Sequence, residues 1–415
     1  MSYLISSFKN LDSIIRLLVI IFPILLISVK IFGNLILLFF TLIGIYRILS
    51  EKINPFTNKD LRLFTFLTLG YFFIMAISII LNVGFDEELK HLFRKIHFLL
   101  APLIAVALYK KNNLNIFDLL KSVKVAIVVA SFIVFLDFFS CSVEPCGQNA
   151  AGMFNPNIFG DLLVVYLLVS LVGIFKESHK EITFTFFSFL TGTIALTLTG
   201  SRGSMLTFGI LFLLFLLSSY RKLFFISKNR KPAIIFTLLL GMILVTSIPH
   251  LKNIYDRTIH NVAMWNADHS SLSSSGMRLQ MWEASIEAHK HAPWYGYGYR
   301  LANREVAKYS NEHKREIANF THLHNEYLTH LLSAGYPGLA ALFLILFLPL
   351  NIFLIKRKKE DVNLYAVAGI FLCLSYFFFG FTHIAFGEEH INAFFIFMLA
   401  FLLPNLYYIS QNTKN

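Results

Sequence analysis

Long uncharged apolar stretches alternate with short basic ones along most of the chain. Leu206 to Leu217, LTFGILFLLFLL, lacks the inside/outside alternation of a barrel strand, so such stretches are read as helices. Only helices and closed barrels satisfy every backbone group in lipid; the pattern predicts an all-α, polytopic membrane protein. Spans are expected near 12–29, 34–49, 63–82, 95–109, 119–139, 158–175, 183–199, 204–220, 233–249, 338–355, 364–383 and 391–408. That is about twelve crossings, the first two short. No small-residue cleavage site follows the first stretch, which is therefore read as a permanent span.

Composition sharpens this reading. Of 415 residues 56% are hydrophobic and 14% charged, against about 25% charged in soluble domains. Mean hydropathy is +0.64. The net charge of +12 would suggest nucleic acid in a soluble protein, but the basic residues sit between apolar segments, where topology explains them. With the N-terminus inside, Lys52, Lys59 and Arg62, Lys110 and Lys111, Lys176 and Lys180, the group from Arg221 to Lys231, and KRKK at 356–359 all fall in the cytoplasm. Lys90, Arg94 and Lys95 are the exception, placed outside beside Asp86, Glu87 and Glu88. Cys141, Cys146 and Cys373 form neither a disulfide framework nor a metal cluster, although the first two are close enough to pair in an oxidising compartment.

Two outer segments are unusual. Ser140 to Asp161 has no Lys or Arg and ends in the turn-forming run GMFNPNIFGD. Pro249 to Gly338 is far too long for an ordinary connection, which marks it as functional. The expected organisation is thus a block of spans over 1–248, a large outer helical loop over 249–337 and closing spans over 338–415. The loop carries His250, His260, His269, His289, His291, His313, His322, His324 and His330, most of the chain's histidines. Within it, Met277 to Lys290 has helical spacing that places Leu279, Trp282, Ile286 and His289 on one face. The chain has no internal repeat, so an inverted-repeat transporter lacks support.

Three places could carry chemistry. Arg202 stands in TLTGSRGSML between two apolar stretches. A guanidinium at the bilayer centre costs about 2.5–3.5 kcal/mol, so it either snorkels at a helix end or faces a polar cavity or charged ligand. The flanking glycines favour the second reading, because they expose backbone amides to an anion. Arg278, in SSSGMRLQMWEAS, lies near a helix N-terminus behind the cap-forming Ser273 to Ser275, where an anion is favoured. Spacing alone reads it as a surface arginine. THLHNEYLTHLLSAGYPGL, Thr321 to Leu339, clusters His322, His324, Asn325 and Glu326; on an extended approach the two histidines share a side. No HExxH motif is present, so proton transfer near neutral pH fits better than metal ligation. PWYGYGYR, Pro293 to Arg300, offers Tyr299 and its neighbours either as faces for sugar rings or as a Gly-rich turn packed by aromatics. His383, Glu388, Glu389 and His390 near the last outer turn either line the same cavity or are solvated, and no catalytic role is assigned to them.

Taken together, TGSRGS, GMRLQMW, HLHNEYLTHLLSAGYPGL, GMFNPNIFGD, PWYGYGYR and the late outer loop resemble the O-antigen ligase family within the O-antigen ligase and polymerase superfamily. The resemblance implies a GT-C type glycosyltransferase in the cell inner membrane, with its active site facing the periplasm. The implied donor is O-antigen on undecaprenyl diphosphate and the acceptor the lipid A-core oligosaccharide of lipopolysaccharide. No cofactor, metal or nucleic acid is implied. On this reading Arg202 and Arg278 offset the diphosphate charge and His324 takes the proton of the acceptor hydroxyl in an inverting displacement. His322, Asn325, Glu326, Tyr299 and Arg300 are expected to bind or orient substrate. A polymerase extending the chain on its lipid carrier remains the alternative, since it would use similar residues; a protein oligosaccharyl ligase is a further variant.

Overall fold

The computed structural model describes residues 2–82, 91–109, 115–140, 150–221, 274–311 and 313–412, with scattered positions between 252 and 263. Its helices are α1 (Ser2–Ser28), α2 (Lys30–Glu51), α3 (Lys59–Leu81), α4 (Ile96–Leu108), α5 (Ile116–Ser140), α6 (Pro156–Ser170), α7 (His179–Leu198), α8 (Arg202–Arg221), α9 (Ser274–His289), α10 (Tyr299–Tyr309), α11 (Lys314–Asn319), α12 (Glu326–Lys356), α13 (Asn363–Phe379) and α14 (Glu389–Asn412). Among the described residues ten segments are long and apolar enough to cross a membrane, and α13 is a shorter apolar helix. They correspond to the expected spans except 233–249, which lies outside the described residues, as do Cys141, Cys146 and Ser273. The protein is an all-helical, multi-pass membrane protein.

Side-chain caps fix where several helices begin. Asn58 accepts from the Asp60 amide at α3, Asn155 from the Asn157 amide at α6, and Asn325 from the Leu328 amide at α12. Pro156 occupies the first turn of α6, where its missing N–H costs nothing. Depth in the bundle varies: 89% of the α6 span is buried against 33% for α8, so α6 lies inside a ring of helices whose outer faces carry residues such as Leu213, Leu217, Leu17 and Phe132. The end assigned to the cytoplasm is tied by ion pairs, Arg16 to Asp118 and Arg47 to Glu51 at 2.8 Å each and Lys124 to Glu177.

Two elements differ from the sequence expectation. The helix expected from 338 starts at Glu326 and breaks at Gly335 (φ 64°, ψ −160°), just before Pro337. The break frees carbonyls that the Gly-Tyr run then satisfies. The amides of Tyr297 and Gly298 donate to Leu332 O and Ser333 O at 2.7 and 2.9 Å, and Ser78 Oγ donates to Ser333 O at 2.6 Å. A Cβ on Gly335 would stand 1.8 Å from Trp294 O, so the close approach requires glycine. The second difference is the buried face of α9. Met277, Met281, Ala284 and Ala288 form it, packed with Ala302 and Val306 of α10, Ile317 of α11, Leu323 and Leu332, whereas Ile286 is 61% exposed. Flexible Met and small Ala side chains let α9 and α10 approach closely, a preference that ranking by hydrophobicity alone overlooks.

Candidate active site

Four of the expected site residues, Arg202, Arg278, His322 and His324, converge at one end of the bundle. The first turn of α8 brings Arg202, α9 brings Arg278, the strap before α12 brings His322 and His324, and the loop between α13 and α14 adds His383. Turn geometry builds this arrangement. Gly200 takes φ 66° ahead of Arg202, and His324 itself sits at φ 50°, in the left-handed region that only a few non-glycine residues tolerate. One residue later Asn325 caps α12, and the Glu326 amide donates to Gly380 O at 2.8 Å, joining the histidine strap to the His383 loop.

Arg202 and Arg278 bring two positive charges to the site. Among the described residues neither guanidinium has a carboxylate partner within ion-pair distance. Arg278 has its pKa lowered, mainly by burial and then by the nearby charge of Arg202. Two guanidiniums that repel each other, with no carboxylate at ion-pair distance among the described residues, suit an anion with several oxygens.

The histidines beside them are neutral. Burial, then Arg278 and His383, push His324 down to about 4; burial, then His324 and His383, push His322 down to about 2. A neutral imidazole can accept a proton. The rings of His322 and His324 lie with centroids 4.4 Å apart and planes at 61°, and His322 meets His383 at 5.9 Å. His322 Nδ1 hydrogen-bonds with Thr321 Oγ1 at 2.8 Å, while His322 Nε2 and His324 Nδ1 are buried without a hydrogen-bond partner among the described residues. Among the described residues no three His, Cys, Asp or Glu side chains form a metal-ligating group.

Other expected site residues are placed elsewhere. Asn325 is spent on the helix cap. Glu326 is buried beneath the strap, its carboxylate 3.0 Å from His330 Nδ1 and accepting from the Phe386 amide at 2.9 Å. Tyr299 stacks on His91 at 5.5 Å, and Lys95 Nζ lies 4.9 Å over its ring. Lys95 in turn is buried, donating to Phe386 O at 2.7 Å and to Tyr71 Oη at 3.2 Å. Arg300 is in the first turn of α10, its side chain outside what the structure describes. Glu389 accepts from Asn34 Nδ2 at 3.4 Å, and His390 Nε2 hydrogen-bonds with Lys30 O at 2.8 Å, so both brace the bundle end.

Sequence reasoning gave no site role to Asp161 or Arg94, and left His383 and Glu388 between cavity and solvent. Asp161 lies just inside α6 and accepts from Ser204 Oγ of α8 at 2.7 Å; its other oxygen is 3.5 Å from His383 Nδ1. Arg94 sits close enough to act on both His322 and Glu388, and burial raises the Glu388 carboxyl pKa. An ionisable residue within an apolar span was the available signal for Asp161. Nothing in local spacing could have paired it with His383.

Residues 187–343 match the family described as O-antigen ligase, a stretch that holds Arg202, Arg278, His322 and His324, whereas Asp161, His383 and Glu388 fall outside it. The chain is 25% identical over 407 residues to an uncharacterized protein of Haemophilus influenzae, covering 95% of this chain and 99% of that protein. It is 26% identical over 361 residues to a ComP-specific O-oligosaccharyltransferase of Acinetobacter baylyi, covering 83% of this chain and 62% of that protein. The resemblance to the O-antigen ligase family read from the motifs is borne out.

Proposed function

We propose that this protein is a ligase-type glycosyltransferase that moves O-antigen polysaccharide from undecaprenyl diphosphate to the lipid A-core oligosaccharide at the periplasmic face of the inner membrane. The observation that carries the reading is the pairing of Arg202 with Arg278, two guanidiniums without a carboxylate partner among the described residues, beside the neutral His324.

The chemistry follows from these groups. The donor lipid lies along the apolar helices with its diphosphate between the two arginines, whose charge-assisted hydrogen bonds strengthen as charge grows on the leaving group. The acceptor hydroxyl loses its proton to His324 as its oxygen attacks the anomeric carbon from the face opposite the diphosphate. The bond from that carbon to the diphosphate oxygen breaks, the configuration inverts, and the lipid diphosphate departs with the electron pair. In this account the site spans the outer ends of the first block, 1–248, and the loop region 249–337, closed by the last block, 338–415.

A protein acceptor is the second reading, favoured by the match to an O-oligosaccharyltransferase. The experiment is a glycan profile of a strain lacking the gene. Loss of polymer-bearing lipopolysaccharide, with long chains accumulating on the lipid carrier, supports the ligase. Intact lipopolysaccharide with a glycoprotein lost moves the acceptor to protein. A core bearing a single repeat unit, with carrier-linked long chains gone, identifies a polymerase. An unchanged profile overturns the transferase reading.

A further inference from the structure

The His322–His324 cluster does not end at the strap. His383 Nδ1 and Asp161 Oδ2 face each other at 3.5 Å, and both are buried without a hydrogen bond among the described residues, as are His322 Nε2 and His324 Nδ1. Buried polar atoms without partners are rare, and four of them converge here on three imidazoles and one carboxylate. The pair is firmly held. Asp161 Oδ1 accepts from Ser204 Oγ at 2.7 Å, Ser204 lies 2.7 Å from Ser201 Oγ, and Ser201 donates to Asn157 Oδ1 at 2.9 Å. Gly160 makes this approach possible, because a Cβ there would meet Ser204 Oγ at 2.8 Å.

We propose that the Asp161–His383 pair is the destination of the proton that His324 removes from the acceptor, a role that rests on the transferase reading above. The proton leaves the acceptor oxygen as the glycosidic bond forms, is taken by His324, crosses by way of His322 Nε2, and comes to rest on His383 as an imidazolium beside the Asp161 carboxylate. No group is oxidised or reduced, and the electron pair of the broken anomeric bond leaves on the diphosphate. His324 and His322 are suited to brief occupancy, since burial and neighbouring charge keep both rings neutral. His383 differs in having a carboxylate opposite its ring nitrogen. Arg94, Arg278 and Glu388 also face this cluster: both guanidiniums act on His322, and Arg94 acts on Glu388 as well. His383 and Asp161 touch no reacting atom in this scheme. They act through His324.

The test uses the full-length protein in lipid nanodiscs with a polyprenyl-diphosphate glycan donor and its acceptor. His383→Ala is expected to lower kcat about 10- to 100-fold with KM for both substrates nearly unchanged. Added imidazole should restore kcat in proportion to its concentration. The solvent deuterium effect on kcat should show several protons in flight in the wild type and a single one in the variant. Asp161→Asn should give the same kinetic pattern without imidazole rescue. An unchanged kcat in His383→Ala overturns the proposal, and so does a fall that imidazole leaves uncorrected with the isotope effect unaltered, because that marks a structural role. If the wild type itself transfers no glycan, the transferase reading fails and this proposal with it.

Discussion

Gly203 lies so close to Thr382 that a Cβ on the glycine would stand 2.2 Å from the threonine Oγ1 and 3.0 Å from its Cβ. The turn that carries Arg202 therefore rests on the loop that carries His383, and the separation of the two is set by an absent methyl group. Gly203→Ala is predicted to insert and fold while losing about 10- to 100-fold in turnover, because a displacement near 1 Å is costly to a reacting geometry. Adding Thr382→Ala should recover part of the loss. Steady-state transfer rates of the single and double variants check this; equal rates in Gly203→Ala and wild type would show that the contact does not position the site.

Acid dependence tests the electrostatics. His324 must be neutral to accept a proton, and its pKa is pushed down to about 4 by burial and by Arg278 and His383. Activity should thus be flat through neutral pH and fall only as the pH drops through that value. Arg278→Gln removes a positive charge that lowers the pKa, so the pKa of His324 rises and the acid limb moves toward neutral. The profile of kcat/KM, which reports the free enzyme, measures the limb. A limb that stays in place or moves to lower pH contradicts the assignment.

Glu326 separates structure from catalysis. Its carboxylate is buried against His330 Nδ1 and the Phe386 amide. Glu326→Ala leaves the buried Phe386 amide without its acceptor, a loss that costs about 1–3 kcal/mol, while His330 Nδ1 keeps its bond to the Glu326 carbonyl. The thermal midpoint in detergent should fall clearly for Glu326→Ala and hardly at all for Arg202→Ala, whose side chain is exposed. Equal midpoints would return Glu326 to the substrate.

Charge neutralisation by arginine predicts insensitivity to chelators. Transfer in the presence of a strong divalent chelator should proceed at the untreated rate, and Arg202→Lys should remain poor because an ammonium cannot reproduce two-directional contact with diphosphate oxygens. A rate lost to chelator and restored by a divalent ion would contradict this.

These tests also mark how far the sequence could be read. Continuous apolar runs announce membrane helices directly, because lipid imposes one solution on the backbone, and the described spans fall where hydropathy puts them. Arg202, His322 and His324 stand out as candidates because charge and imidazole are conspicuous beside apolar stretches, whereas spacing alone reads Arg278 as a surface arginine and only the family resemblance singles it out. What stayed hidden depends on contacts distant in sequence. The motif HLHNE reads as one polar strap, yet the cap at Asn325 turns Glu326 downward to His330 and away from His324. Lys95 reads only as one of the basic residues that fall outside, yet Phe386 O and Tyr71 Oη hold it in the interior. The Gly-Tyr run at 293–300 serves the broken helix at Gly335, which no local pattern reveals.

The most direct test of the central claim separates donor binding from transfer in the purified protein. A fluorescent polyprenyl-diphosphate glycan is titrated into nanodiscs carrying wild type, His324→Ala or Arg278→Ala, and product formation is followed with acceptor present. The account predicts that His324→Ala binds donor as wild type does and transfers nothing, whereas Arg278→Ala loses donor affinity. Measurable transfer by a folded His324→Ala protein would contradict it.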